Sequence, residues 1–318
     1  MKRIFTICVL VAIAAMSLMS CQRDPIVYPT GNYYLEVNMD GVSDELDASS
    51  LWQVLFYDAT TKMKAFETYI TPMLHPENMP TGAYIRGLKA GTYDVVVYNR
   101  DTKVTAFSVA DASNRIYAYA PNAGYSQGTP IVFEPDNLFV SQSREKVPYV
   151  SGDDVYIIKT SPKCIIDTRE IIVHGIKGLD IAENIALYVS RMDRGSWLCP
   201  IKQLYEKVIV VAQGEVRELK AQSKADGDEV DENLVIWTPV STFGVVDGEE
   251  DQRILLTVAI EGPNGSVYYG QADITDQFLA GNKIIETTLE IEVEPLQQGG
   301  FDPTATPWEE FVTKIELM

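Results

Sequence analysis

The residue with the most definite chemistry in this sequence is Cys21, because of what stands before it. Leu18-Met19-Ser20-Cys21 sets an aliphatic residue, a small residue and a thiol in the order of a lipobox. A thiol in that setting is diacylated, and each CH₂ buried in the bilayer adds ~0.8 kcal/mol to membrane attachment. The alternative, an ordinary secretory signal followed by a chance cysteine, fits less well because the motif sits where the apolar run ends.

Other reactive groups are sparse. There are two histidines, His75 in Met-Leu-His-Pro-Glu-Asn and His174 before Gly175, and both read as surface or turn residues. No Gly-x-Ser-x-Gly elbow, phosphate loop or His-Glu-x-x-His occurs. Asp226-Gly-Asp228-Glu-Val-Asp231-Glu232 alternates acids as a calcium loop does. It has Val230 at the fifth position, Asp231 at the sixth where a glycine is needed, and Trp237 at the twelfth where a bidentate acid belongs. The run reads as a solvated loop. Acid pairs such as Glu249-Glu250 define nothing without their spatial separation. The expectation is a protein that is not an enzyme and has no cofactor or metal. Beyond Cys8 and Cys21, Cys164 and Cys199 remain, either as a disulfide or as free thiols. The 17 tyrosines could stack on sugars, but strands select aromatics anyway, which makes packing their first explanation.

The elements that must carry these residues read as strands. Tyr33, Leu35, Val37 and Met39 alternate with Tyr34, Glu36, Asn38 and Asp40. Residues 51–57 form a more fully buried strand, and 93–99 another, entered through a turn at Gly91. Weaker strands are expected near 104–109, 115–119 and 131–140, then at 155–158, 165–173 and 185–190. Asn264-Gly265 between 254–260 and 267–269 predicts a hairpin with a tight primed turn. Ile285, Thr287, Leu289, Ile291 and Val293 face one way, and Glu286, Thr288, Glu290, Glu292 and Glu294 the other. Asp273 and Thr275 are suited to stop a strand and start one short turn. Short strands without crossover helices predict antiparallel sandwiches.

Residues 1–20 read as a signal peptide, with Lys2 and Arg3 ahead of an apolar run too short for a comfortable span of ~20 residues. Removing them with their two basic residues takes the net charge from −19 to −21. Such an acidic surface repels phosphate backbones and excludes nucleic acid as an expected partner. The pattern fades between residues 141 and 154. The expected organisation is a signal peptide (1–20), a lipidated tether (21–32), an N-terminal β-sandwich (33–150) and a C-terminal one (151–318).

Several stretches together resemble a known family. Val54-Leu-Phe-Tyr-Asp58, Leu88-Lys-Ala-Gly91-Thr-Tyr93 and Tyr98-Asn99 look like the first domain of the fimbrillin-type lipoproteins of Gram-negative anaerobes, which include fimbrial minor and anchor subunits. In the second half, Thr242-Phe-Gly244, Asn264-Gly265, Asp273-Ile-Thr-Asp-Gln277, Gly299-Gly-Phe301 and Trp308 follow the order seen there. The resemblance implies two transthyretin-like antiparallel β-sandwiches and a lipid-anchored, surface-exposed role at the outer membrane, as a fimbrial anchor or accessory subunit. The alternative is a surface lipoprotein that binds glycan or host protein without a filament.

The resemblance also implies that shaft subunits lose their first strand to a trypsin-like protease. Here the basic residue after Arg23 is Lys62, so a cut would remove no strand or two. The first strand is therefore expected to stay, leaving no open groove, so that the chain can only donate a strand or present an edge to fimbrial subunits and terminates or anchors a filament. The candidate donor strand is Phe311, Thr313, Ile315 and Leu317, after the Gly299-Gly300 break; the alternative, and the simpler reading, is that it is the last strand of its own sandwich.

Overall fold

A computed structural model of the chain describes residues 32–42, 46, 49–74, 79–219, 233–246, 253–263 and 265–295. Strands dominate, and the one α-helix among the described residues is the short Thr275–Leu279. In the first part, Asn32–Val37 is the middle of a three-stranded sheet, parallel to Val155–Thr160 and antiparallel to Gly82–Ile85. A five-stranded antiparallel sheet packs against it, in the order Lys163–Cys164, Phe139–Val147, Gly91–Asn99, Trp52–Asp58, Lys64–Ile70. Alternation sets the packing: Tyr33, Leu35 and Val37 meet Trp52, Val54, Phe56, Val95 and Val97 in one core. The other face of the five-stranded sheet is buried too, since Leu55, Tyr57, Val96 and Tyr98 enter a second core. That explains why residues 54–57 and 95–98 are apolar on successive positions.

The second core is shared with three further sheets. A small one runs Ile201–Gln203, Gly195–Leu198, Tyr117–Tyr119, Ala106–Ser108. A six-stranded sheet runs Val267–Asp273, Leu255–Glu261, Asn184–Asp193, Lys207–Gln213, Thr129–Phe133, Asn122–Ser126. Facing it, a four-stranded sheet runs Glu215–Leu219, Asn233–Thr242, Asp167–Lys177, Ile284–Glu292. The all-β class and the β-sandwich packing are as the periodicity predicts, and pairing is antiparallel except at three parallel contacts.

Sheet membership does not divide at residue 150. Val155–Thr160 and Lys163–Cys164 join the first two sheets, while Asn122–Ser126 and Thr129–Phe133 join the six-stranded one. Periodicity reports which face of a strand is buried but not which strand lies beside it, so such exchanges leave no mark in the sequence. The fading pattern at 141–147 is itself strand, Phe139–Val147, paired with Gly91–Asn99 along its length. Its polar residues are tolerated because Lys163–Cys164 covers only residues 139 and 140 on the other side.

The expected hairpin is present, with Leu255–Glu261 antiparallel to Val267–Asp273, but its connection is longer than a two-residue turn. Pairing stops at Glu261 and Val267, and Pro263, which lacks an N–H, cannot extend the ladder. Gly265 takes φ +71° within the loop. Asn264 lies outside the described residues.

Candidate functional site

Cys21, and Phe311, Thr313, Ile315 and Leu317, lie outside the described residues, as do His75, the 226–232 acidic run and Glu249-Glu250. His174 is half-buried at a bulge, with Nε2 3.8 Å from Glu286. Among the described residues no three His, Cys, Asp or Glu side chains gather as a metal site. Cys164 is exposed and Cys199 buried, and no disulfide joins them. Burial pushes the Cys199 thiol above its ordinary value.

What the fold does offer is sheet edges, and the two edges of the four-stranded sheet are built differently. At one edge, Ile284–Glu292 buries Ile285, Leu289 and Ile291 and exposes Glu286, Glu290 and Glu292, the alternation expected from sequence. On its free side, the Asp273–Gln277 stretch meets it at Glu286. Asp273 ends its strand, and its carboxylate accepts the Thr275 N–H at 2.9 Å, starting the helix. The Thr275 hydroxyl accepts the Ile254 N–H at 2.7 Å and ties the turn to the neighbouring sheet.

Gln277 then acts as a substitute strand residue. Its Nε2 donates to the Glu286 carbonyl at 2.8 Å, and its Oε1 accepts the Glu286 N–H at 3.0 Å. Phe278 beside it is buried, with the Arg169 guanidinium 3.8 Å over its ring and bonded to its carbonyl. Arg169 and Lys283 both pair with Asp167, at 2.7 and 2.8 Å. Burial alone would raise the Asp167 carboxyl, but Lys283 and Arg169 outweigh it and hold it below the ordinary carboxylate range. The Tyr268 hydroxyl accepts the Glu294 N–H at 3.2 Å, just beyond the strand.

The opposite edge is bare. Glu215–Leu219 pairs with Asn233–Thr242 on one side, and no described strand flanks the other. Every residue of it is exposed, Val216 at 38% and Leu219 at 40%. Arg217 lies 3.2 Å over the Trp237 ring and fixes the strand's near face. Such an edge presents unpaired N–H and C=O groups that another strand can join. The sequence reading missed this strand, whose one signal is Val216 between Glu215 and Arg217. Where Asn233–Thr242 ends, the Glu134 carboxylate accepts the Ser241 N–H at 2.9 Å, and burial pushes its pKa up to about 7.

With this geometry in place, likenesses to other proteins can be weighed. A family model described as a domain of unknown function, DUF5119, matches residues 20–211, more than half of the sequence. The chain belongs to the DUF5119 family. The match begins beside Cys21 and ends in the Lys207–Gln213 strand, so it runs through both cores. No curated protein matches this DUF5119 chain. Among solved structures, a candidate adhesin from Bacteroides ovatus is similar with a TM-score of 0.58 at 18% identity, covering 88% of this chain and 98% of its own. A candidate adhesin from Bacteroides thetaiotaomicron reaches 0.49 at 14% identity, over 75% and 78% of the two chains. The fimbrial anchor protein Mfa2 of Porphyromonas gingivalis reaches 0.48 at 9% identity, over 81% and 90%. Of these three, the first shows a shared fold.

Proposed function

We propose that this DUF5119 protein is held on the outer membrane through lipid on Cys21, exposed at the cell surface, and serves as an anchor or accessory subunit in fimbrial assembly and adhesion. The observation that carries this reading is the position of the first two strands. Asn32–Val37 lies between two partners in its sheet, and Trp52–Asp58 lies between two in the next. Lys62, the first basic residue after Arg23, comes after both and is itself held at 2.7 Å by the buried Asp94 carboxylate.

A trypsin-like cut at Lys62 would pull out two interior strands. They carry Tyr33, Leu35, Val54 and Phe56, all but inaccessible, and each such side chain contributes ~1.5–3 kcal/mol by burial. The first strand therefore stays, and no groove is vacated for an incoming subunit. What remains is to present an edge, for which Glu215–Leu219 is suited, or to donate a segment, for which Phe311, Thr313, Ile315 and Leu317 are the candidates. A subunit limited to those roles sits at the end of a filament.

The test is to recover the protein from the cell surface and determine its N-terminus by mass spectrometry. The expected species begins at acylated Cys21, with Cys21→Ala released from the membrane fraction and the parent co-purifying with a fimbrial polymer. A mature species beginning at residues 60–64 would overturn the anchoring role.

A further inference from the structure

The small four-stranded sheet carries a feature that the anchoring role does not use. Its register sets Ser108, Tyr117, Trp197 and Lys202 directly opposite one another in one row, and Ala106, Tyr119 and Gly195 in the next. Directly opposed residues share a face. The reverse face holds Phe107, Ala118 and Leu198 and packs inward: Phe107 stacks on Tyr98 at 4.8 Å, and Ala118 and Leu198 are buried. Three aromatic rings are thus gathered on the outward face, all half-buried. Tyr117 lies 5.6 Å from Tyr119 and 5.2 Å from Trp197, with interplanar angles of 45° and 65°.

These rings differ from the core tyrosines in how their polar tips are treated. The hydroxyls of Tyr33, Tyr34, Tyr57, Tyr93 and Tyr98 all donate to a protein acceptor. Those of Tyr117 and Tyr119 make no hydrogen bond among the described residues, nor does the Trp197 indole N–H. Beside them, Arg194 lies 5.2 Å from the Tyr119 ring and pairs with Glu206 at 3.2 Å. We infer that this face is a binding site for a short neutral oligosaccharide.

Size separates this ligand from a protein partner. Four strands at ~4.8 Å spacing and three residues at ~3.3 Å rise make a face of about 14 by 7 Å. A specific protein interface covers ~800 Å² per partner, several times that area. A short sugar chain matches it, laying its C–H faces on the rings and its hydroxyls against the phenols, the indole N–H and the Arg194–Glu206 pair. That pair is internally neutral, Lys202 at the end of the row can donate to sugar hydroxyls, and the whole chain carries −19, so the long-range field disfavours acidic sugars. The small side chains of Ala106 and Ser108 leave the flank of the rings uncrowded. This inference stands apart from the filament role and does not depend on what Cys21 carries.

The experiment titrates the detergent-solubilised full chain with cellohexaose, xylohexaose, mannohexaose and maltohexaose, following tryptophan fluorescence and its quenching by iodide. At least one sugar should shift the emission and reduce quenching, and Tyr117→Ala should weaken its binding on the order of tenfold. Tyr125→Ala, an exposed tyrosine of the six-stranded sheet, should change nothing. Should Tyr117→Ala fold poorly, Tyr119→Phe and Trp197→Phe remove polar tips while keeping the rings, and should each weaken binding several-fold. The proposal is overturned if no sugar of the four is bound, or if these variants bind like the parent. It is equally overturned if they abolish association with a fimbrial polymer while no sugar binds, which would make the face a protein contact.

Discussion

The two edges of the four-stranded sheet solve the same problem in opposite ways. An edge strand exposes a row of unpaired backbone groups. On the Ile284–Glu292 side the N–H and C=O of Glu286 are met by a borrowed amide from Gln277, supported by buried Phe278 and the Arg169–Asp167–Lys283 cluster. On the Glu215–Leu219 side nothing described meets such groups, and exposed Val216 and Leu219 decorate the strand. Among the described residues the sheet is therefore asymmetric: one edge is capped at Glu286 from within the chain, and the other has no such cap.

The largest effect should come from removing the support beneath the sealed edge. Phe278 is 2% exposed and carries the Arg169 guanidinium on its ring. Phe278→Ala should cost about 3–5 kcal/mol in urea unfolding, from lost burial, the cavity left behind and the loosened guanidinium. A loss below 1 kcal/mol would mean that the helix is not what holds the edge.

An intermediate effect should distinguish the two sides by pH, because their half-buried carboxylates are shifted in opposite directions. Glu134, which holds the Ser241 N–H on the open-edge side, titrates at about 7 instead of 4.5. Between those values the folded chain keeps a proton that the unfolded chain has lost, so stability falls as pH rises and the full penalty applies above about 7. Glu134→Gln keeps an oxygen for Ser241 and removes the charge. It should stabilise by about 1–3 kcal/mol at pH 8 and by nothing measurable at pH 4. Asp167, on the sealed side, is held low, so its contribution is present above the ordinary carboxylate range and is lost only in acid, as pH falls through its folded value. Equal gains from Glu134→Gln at both pH values would show that the charge is not the cause.

Much of this contrast could be read from the residues, but not all of it. The Ile285-to-Val293 alternation gave the sealed strand and its buried face correctly, because period 2 is the signature of a half-exposed strand. Asp273 and Thr275 were legible as a strand stop and turn start, since their side chains bond locally. The role of Gln277 was not, because its partner Glu286 is met only through the tertiary fold. Glu215–Leu219 was invisible for a different reason: five exposed residues have no core to impose a pattern. The outward aromatic face was hidden in the same way, since Tyr117, Tyr119 and Trp197 come together only through pairing of distant strands. The parallel contacts and the crossing at residue 150 belong to this class as well.

The smallest expected effect tests the comparison most directly, because it converts one edge into the other. Gln277 contributes two hydrogen bonds to an otherwise exposed strand, at 2.8 and 3.0 Å. Such bonds are worth about 0.5–1.5 kcal/mol each, and water replaces part of that once the amide is gone, so Gln277→Ala should cost only about 1 kcal/mol overall. Its local signature should be sharper than its global one. In the parent, the Glu286 amide should exchange slowly with solvent even though it lies on the outer side of an edge strand. In Gln277→Ala it should exchange on the order of tenfold faster, approaching the outward amides of Glu215–Leu219, which should be fast in both proteins. Gln277→Glu provides the control: it keeps an acceptor for the Glu286 N–H, loses the donor to the Glu286 carbonyl, and sets a carboxylate beside Glu286. Its amide protection should therefore be partial while its stability is no better than that of the alanine variant. Unchanged Glu286 exchange in both variants would mean that the edge is closed by something other than Gln277, and the asymmetry between the two sides would lose its basis.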